Sequence, residues 1–132
     1  MRRDYKQLPK EIREHGMDFH WDNKKMWLLD VPVEEIDVSE IDWVLDLPFW
    51  GHKGQKYNLC PRYVLENLDL YPEHKDRILK ANISHPIDIM KNQNARLEIL
   101  DGVHRLARLI LKGNRKVKVR KISRDFIPVI EK

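Results

Sequence analysis

The sequence predicts a mixed α/β fold (α+β), a small sheet flanked by helices, and three observations predict it. "PIDIM" and "RLEIL" alternate apolar and polar residues, so Ile87, Ile89, Leu97 and Ile99 line one face of two short strands. "VHRLARLILKG" follows with apolar residues at helical spacing and closes on a glycine. "KVKVRKI" then alternates again, with Val117 and Val119 set between basic residues.

The remaining elements are read in chain order. Residues 1–24 are polar, contain Pro9 and Gly16, and hold one short helix candidate, "PKEIREHG", with proline at its start and glycine after its end. They are expected to form a peripheral N-terminal arm. Residues 25–132 are expected to form a single domain, since 132 residues fit one domain with a real core. "KMWLLDVPV", residues 25–33, has the length and composition of a strand, with Pro32 placing it near an edge. A short turn or helix is expected after Ser39. "LDLPFWGHKGQKYN", residues 45–58, combines a proline, two glycines and two bulky aromatics with little periodicity, and reads as a long loop. Two helices follow. Pro61 opens one, with Val64, Leu65 and Leu68 as its apolar stripe; Pro72 opens the next, with Ile78 and Leu79 inside. "KNQNA" suits the turn between the two strands.

Hydrophobic residues make up 42% of the chain and charged residues 35%, enough apolar material for a globular fold and too much for general disorder. No apolar run is long enough to span a membrane, and the first twenty residues hold no apolar leader. A cytoplasmic protein without a membrane partner is the expectation. Cys60 is the single cysteine, which rules out an intrachain disulfide, and with no histidine or basic cluster beside it in sequence it is a poor nucleophile. His15, His20, His52, His74 and His85 lack metal-ligand spacing, so no metal site is expected. Charge is unevenly spread. No Lys or Arg lies between Lys25 and Lys53, an interval that carries Asp30, Glu34, Glu35, Asp37, Glu40, Asp42 and Asp46; no acid lies from Gly102 to Arg124, where nine basic residues occur. The 105–124 basic strip suits an anionic partner such as a nucleic acid, and it equally suits a solvated face.

The densest chemistry is in "LDGVHRLARLI". Val103, Leu106, Ala107 and Ile110 form one stripe for the core, which leaves His104, Arg105 and Arg108 off it. Asp101 is placed to cap the helix, and Gly102 leaves the first-turn N–H groups open. A helix N-terminus carries about half a positive charge and unpaired donors, so a phosphate fits there, with Arg105 as a bidentate donor. The same residues also serve a plain cap, turn and solvent-facing helix.

The run "PIDIM…RLEILDGVHRLARLILKG…KVKVRKI" resembles the core of the ParB/sulfiredoxin-like superfamily: a hairpin leading into an Asp-Gly-x-His-Arg turn, a helix and a last strand. The resemblance covers residues 85–122, and "VPVEEI" at 31–36 is similar to the opening strand of that fold. It implies nucleotide binding, with Asp101, Gly102, His104 and Arg105 as the phosphate-binding turn. Sulfiredoxins carry a reactive cysteine just before the His-Arg pair, where this chain has Val103, so that redox chemistry is not expected. Only ten residues follow Ile122, too few for the DNA-binding domain of partition proteins. What remains resembles the stand-alone members, small-molecule kinases among them.

The resulting expectation is a nucleotide-binding protein that uses ATP or another nucleoside triphosphate with Mg²⁺, as a phosphotransferase acting on a small hydroxylated molecule. His104 and Arg105 would hold phosphates, and a carboxylate would orient the acceptor hydroxyl. Asp46, beside Phe49 and Trp50, is one candidate; Asp88, on the strand face opposite Ile87 and Ile89, is a supporting one that could pair with Arg105, bind a metal or simply face solvent. Arg108 is a further supporting residue. A nucleic-acid-binding module or ParB-like nuclease, and a nucleotide-binding regulator without turnover, are the alternatives.

Overall fold

The computed structural model describes residues 9–132, and within them the chain is a mixed α+β fold. The helix expected near the start is α1 (Lys10–His15); residues 1–8 of the expected arm lie outside the described residues. The stretch 25–33 is not a strand. Asp22 accepts a hydrogen bond from the Lys25 N–H at 3.2 Å and so caps α2 (Asn23–Trp27), and the chain extends into β1 (Val33–Asp37) only after Pro32. Two 3₁₀ turns, Val38–Glu40 and Asp42–Asp46, follow. The expected loop at 45–58 contains a hairpin, β2 (Trp50–His52) and β3 (Gln55–Leu59). Lys53 and Gly54 join its strands with φ of 54° and 77°, the positive values that a type I′ turn requires.

Pro61 and Pro72 open α3 (Pro61–Glu66) and α4 (Pro72–Lys80) as expected, but of the two apolar residues assigned to the inside of α4 only Ile78 is buried, and Leu79 is exposed. β4 (Ile87–Lys91) and β5 (Leu97–Asp101) form the expected antiparallel hairpin. α5 (Val103–Leu111) ends where predicted: the Gly113 N–H reaches the Ile110 carbonyl at 2.9 Å and the Asn114 N–H the Leu109 carbonyl at 3.0 Å, a Schellman closure. β6 (Lys116–Lys121) and α6 (Ile127–Ile130) complete the described chain.

The four-stranded sheet runs β1-β6-β4-β5, with β4 parallel to β6 and the other neighbours antiparallel. Its two faces are both covered. On one, Ile87, Ile89, Ile99, Val117 and Val119 pack beneath Leu106 and Leu109 of α5 and beneath Ile41, Val44 and Leu45 of the 3₁₀ turns. The buried stripe of α5 is therefore Leu106, Ala107 and Leu109, with Val103 and Ile110 at its partly buried margins. On the other face, Met90 and Leu100 meet Met17, Phe19, Met26, Ile127 and Ile130. The segment read as an arm thus lays Met17 and Phe19, fully buried, across the sheet.

That second layer is held by backbone and amide hydrogen bonds. Residues 20–22 run beside 130–132, the Asp22 N–H donating to the Ile130 carbonyl at 2.7 Å and the Lys132 N–H to the His20 carbonyl at 3.1 Å. The turn between β4 and β5 reaches back to α1, where the side-chain amides of Asn94, Asn92 and Gln93 donate to the carbonyls of Glu14, His15 and Gly16. These are the carbonyls that a helix end leaves without partners. A third cluster, Trp50, Leu59, Val64, Ile78 and Ala107, pins the β2–β3 hairpin, α3 and α4 to α5. No helix among the described residues is long and apolar enough to cross a membrane.

Candidate functional site

The turn between β5 and α5 is the centre of the site. Gly102 sits there at φ 117°, a value L side chains rarely adopt, and a Cβ on it would lie 3.3 Å from both γ-carbons of Ile87 and 3.4 Å from Cζ of Arg105. Gly102 is itself the N-cap, and α5 begins without a side-chain cap. Asp101 does not cap the helix as expected. It is the last residue of β5, and its Oδ2 accepts from Arg105 Nη2 at 2.9 Å and from Trp27 Nε1 at 3.0 Å. Arg105 also donates from Nη1 to the Pro86 carbonyl at 2.6 Å, so the guanidinium stands fixed beside the turn.

A cavity of about 620 Å³ opens on this turn. Trp21, Phe49 and Trp50 wall it, and α4 contributes Asp76, Arg77 and Lys80. The third core cluster is what brings them there, because it fastens both the hairpin and α4 to α5. Asp46, the carboxylate chosen from the sequence, does not line this cavity. It is exposed and paired with Arg62, whose Nε lies 2.6 Å from Oδ1.

His104 lines the cavity and lies on the indole of Trp50, centroids 4.3 Å apart and 12° from parallel. Beside it on the same indole lies His74, at 4.6 Å and 8°. The two imidazoles are 14° from parallel, with His104 Nε2 3.5 Å from His74 Nδ1, and His74 Nε2 is 2.9 Å from the Gly51 carbonyl. A carbonyl only accepts, so His74 carries its proton on Nε2. In the neutral ring its Nδ1 is an acceptor for the Nε2–H of His104, and His104 Nδ1 is then a lone pair. Burial, the nearby Arg77 and His74 together push the His104 pKa down to about 3. At neutral pH His104 is uncharged. It offers an acceptor at a position that the sequence reading assigns to holding phosphate. His74 has no sequence signal of its own: it lies 30 residues from His104, and only the docking of α4 joins them.

Asp88 does stand on the face opposite Ile87 and Ile89, but that face is buried. Its carboxylate neither faces solvent nor pairs with Arg105; Oδ1 accepts from Arg120 Nε at 2.6 Å. Arg120 continues to the carbonyls of Leu29 and Met26, at 2.8 and 3.2 Å, and so ties the end of α2 to β6. Arg108 lies outside the cavity lining and donates to the Ala81 carbonyl at 2.6 Å, holding the segment after α4. Cys60 donates to the Asp46 carbonyl at 3.4 Å, and burial, with Asp46 and Glu11 nearby, pushes its thiol pKa up, against thiolate chemistry. No three His, Cys, Asp or Glu side chains among the described residues come together as a metal-holding group.

The charge asymmetry has an internal explanation. β1 and β6 are antiparallel neighbours, with Glu35 opposite Lys118 and Asp37 opposite Lys116. Lys121 pairs with Glu34 at 3.3 Å and Lys116 with Asp37 at 3.8 Å. Arg105, Arg120 and Arg124 pair with Asp101, Asp88 and Asp18. Much of the basic strip is therefore matched within the chain. No protein-family model matches the sequence, and no curated protein does.

Proposed function

We propose that this chain binds a nucleotide at the start of α5, phosphates against the first turn and base among Trp21, Phe49 and Trp50. The observation that carries this reading is the cavity of about 620 Å³ opening on a helix N-terminus that has no side-chain cap. Backbone donors and the helix dipole favour an anion there. Arg77, Lys80 and Arg105 supply the cationic surroundings, and the aromatic wall suits a planar base. The order of hairpin, Asp-Gly-x-His-Arg turn, helix and strand supports placing the chain with the ParB/sulfiredoxin-like superfamily, in a branch without the thiol.

ATP or another nucleoside triphosphate with Mg²⁺ is the ligand this reading names, the metal arriving on the phosphates. Transfer of phosphate to a small hydroxylated molecule is the reaction it suggests. His104 then serves as a hydrogen-bond acceptor for a ligand hydroxyl or amine, while Arg105, Arg77 and Lys80 carry the phosphate contacts. The test is thermal unfolding with ATP, CTP and GTP, each with Mg²⁺. A ligand at about a hundred times its Kd stabilises by about 2.7 kcal/mol, a rise of several degrees for a chain of this size. The joint variant Arg77→Ala with Lys80→Ala, both exposed positions, should fold and lose that rise. No stabilisation by any of the three overturns the reading.

A further inference from the structure

Behind the pair formed by Asp101 and Arg105 lies a second cavity, of about 560 Å³, which shares those two residues with the first and is otherwise walled by Trp27, His85, Pro86, Asp88 and Arg120. Arg120 spends Nε on Asp88 and its two Nη atoms on the Leu29 and Met26 carbonyls. Arg105 spends both Nη atoms on Pro86 and Asp101. Each carboxylate, by contrast, has one oxygen with no partner among the described residues: Oδ2 of Asp88, which accepts at Oδ1 only, and Oδ1 of Asp101, which accepts at Oδ2 only. The free carboxylate oxygens therefore ask an occupant for hydrogen-bond donors, and the second N–H of each guanidinium Nη can donate to the same occupant. The cavity does not ask for a cation, because each carboxylate is already matched by an arginine. Trp27 is 54% exposed, unusual for an indole, and with Pro86 it presents an apolar wall for a carbon skeleton.

The geometry points to a second ligand site here, for a small neutral polyol whose hydroxyls donate to Asp101 and Asp88 and whose carbon face lies on Trp27. Its role in transfer rests on the nucleotide reading above. With phosphates in the first cavity, the shared wall sets a polyol hydroxyl beside them. The hydroxyl oxygen then forms a bond to the terminal phosphorus as the bond from that phosphorus to its bridging oxygen breaks, the nucleoside diphosphate leaves with the electron pair, and the hydroxyl proton passes to Asp101.

Indole N–H signals in ¹⁵N-labelled protein test the site, since the chain has four tryptophans, with Trp27 at the second cavity and Trp21 and Trp50 at the first. Glycerol, erythritol and myo-inositol are the probes, and tetramethylammonium is the cationic control. The expected result is a saturable shift of the Trp27 signal with at least one polyol and none with the cation. Ligand-observed saturation transfer should report about tenfold weaker binding in Trp27→Ala, a surface change that spares the fold. A Trp27 signal that no polyol moves, or that moves only with the cation, overturns the proposal. A nucleotide response at Trp21 and Trp50 without a polyol response overturns the second site alone. A polyol response without a nucleotide response upholds the second site and overturns both the transfer step and the nucleotide reading.

Discussion

Lowering the pH should cost this protein stability through one ring. In the folded chain His104 has a pKa of about 3, and in the unfolded chain a value near the ordinary one of 6.5. Between those values the unfolded chain binds a proton that the folded chain refuses, so the contribution of His104 is fully present above about pH 6.5 and is lost as pH falls. Linkage from about pH 7.5 to about pH 5 gives a loss of about 2 kcal/mol, a figure that hardly depends on how far below 5 the folded pKa lies. The ring is partly open to water, and screening reduces the expected loss to about 1–2 kcal/mol. His104→Phe keeps an aromatic ring on Trp50 and removes the titration. Urea unfolding followed by tryptophan fluorescence across that range, in both proteins, isolates the effect, because the carboxylates titrate in both. The wild type should lose about 1–2 kcal/mol more than the variant. Parallel curves would refute the claim that His104 is held uncharged against Trp50.

Three further outcomes follow from the same geometry. Asp88→Ala strands the Arg120 guanidinium in a buried layer and should cost about 3–5 kcal/mol in urea unfolding, whereas Asp88→Leu combined with Arg120→Met should recover most of it; equal losses would show that the pair is not the source. Gly102→Ala forces a side chain into a positive-φ turn against Ile87 and should cost about 2–3 kcal/mol, while Gly54→Ala, at a positive φ with open space around it, should cost about 1 kcal/mol. Asp46→Asn touches only the exposed pair with Arg62, so it should change stability by less than about 1 kcal/mol and leave any nucleotide-induced thermal shift intact; a lost shift would return Asp46 to the site.

Periodic elements were legible in the sequence. The hairpin at 87–101, the helix after it and the last strand carry their own alternation or stripe, and Gly113 its own stop signal. The misreadings have separate physical causes. At 25–33 a short apolar run is ambiguous between helix and strand, and the Asp22 cap three residues before Lys25 was the deciding local signal. The hairpin at 50–59 turns on Lys-Gly in place of the usual Asn-Gly or Asp-Gly, so the turn signature was muted. Alternation places Asp88 on the correct face, but the cover of that face comes from residues some seventy positions earlier and some forty later, which no window around 88 contains. Within the site, the 101–105 turn could be read locally. Its partners His74, Arg77 and Trp27 could not, since they arrive on other elements.

The seam joining residues 20–22 to 130–132 carries a consequence for the order of folding. Closing a loop of that span is entropically costly, so contacts across the seam should form after the local hairpin and the crossover through α5. Until then the outer face of β4 stays wet, and Asp88 and Arg120 meet as two hydrated ions worth little to each other. Their attraction strengthens only when Phe19 and Ile130 shut water out. Substitutions at this pair should therefore speed unfolding and leave the folding rate nearly untouched, making it a determinant of how long the folded state lasts more than of how quickly it is reached.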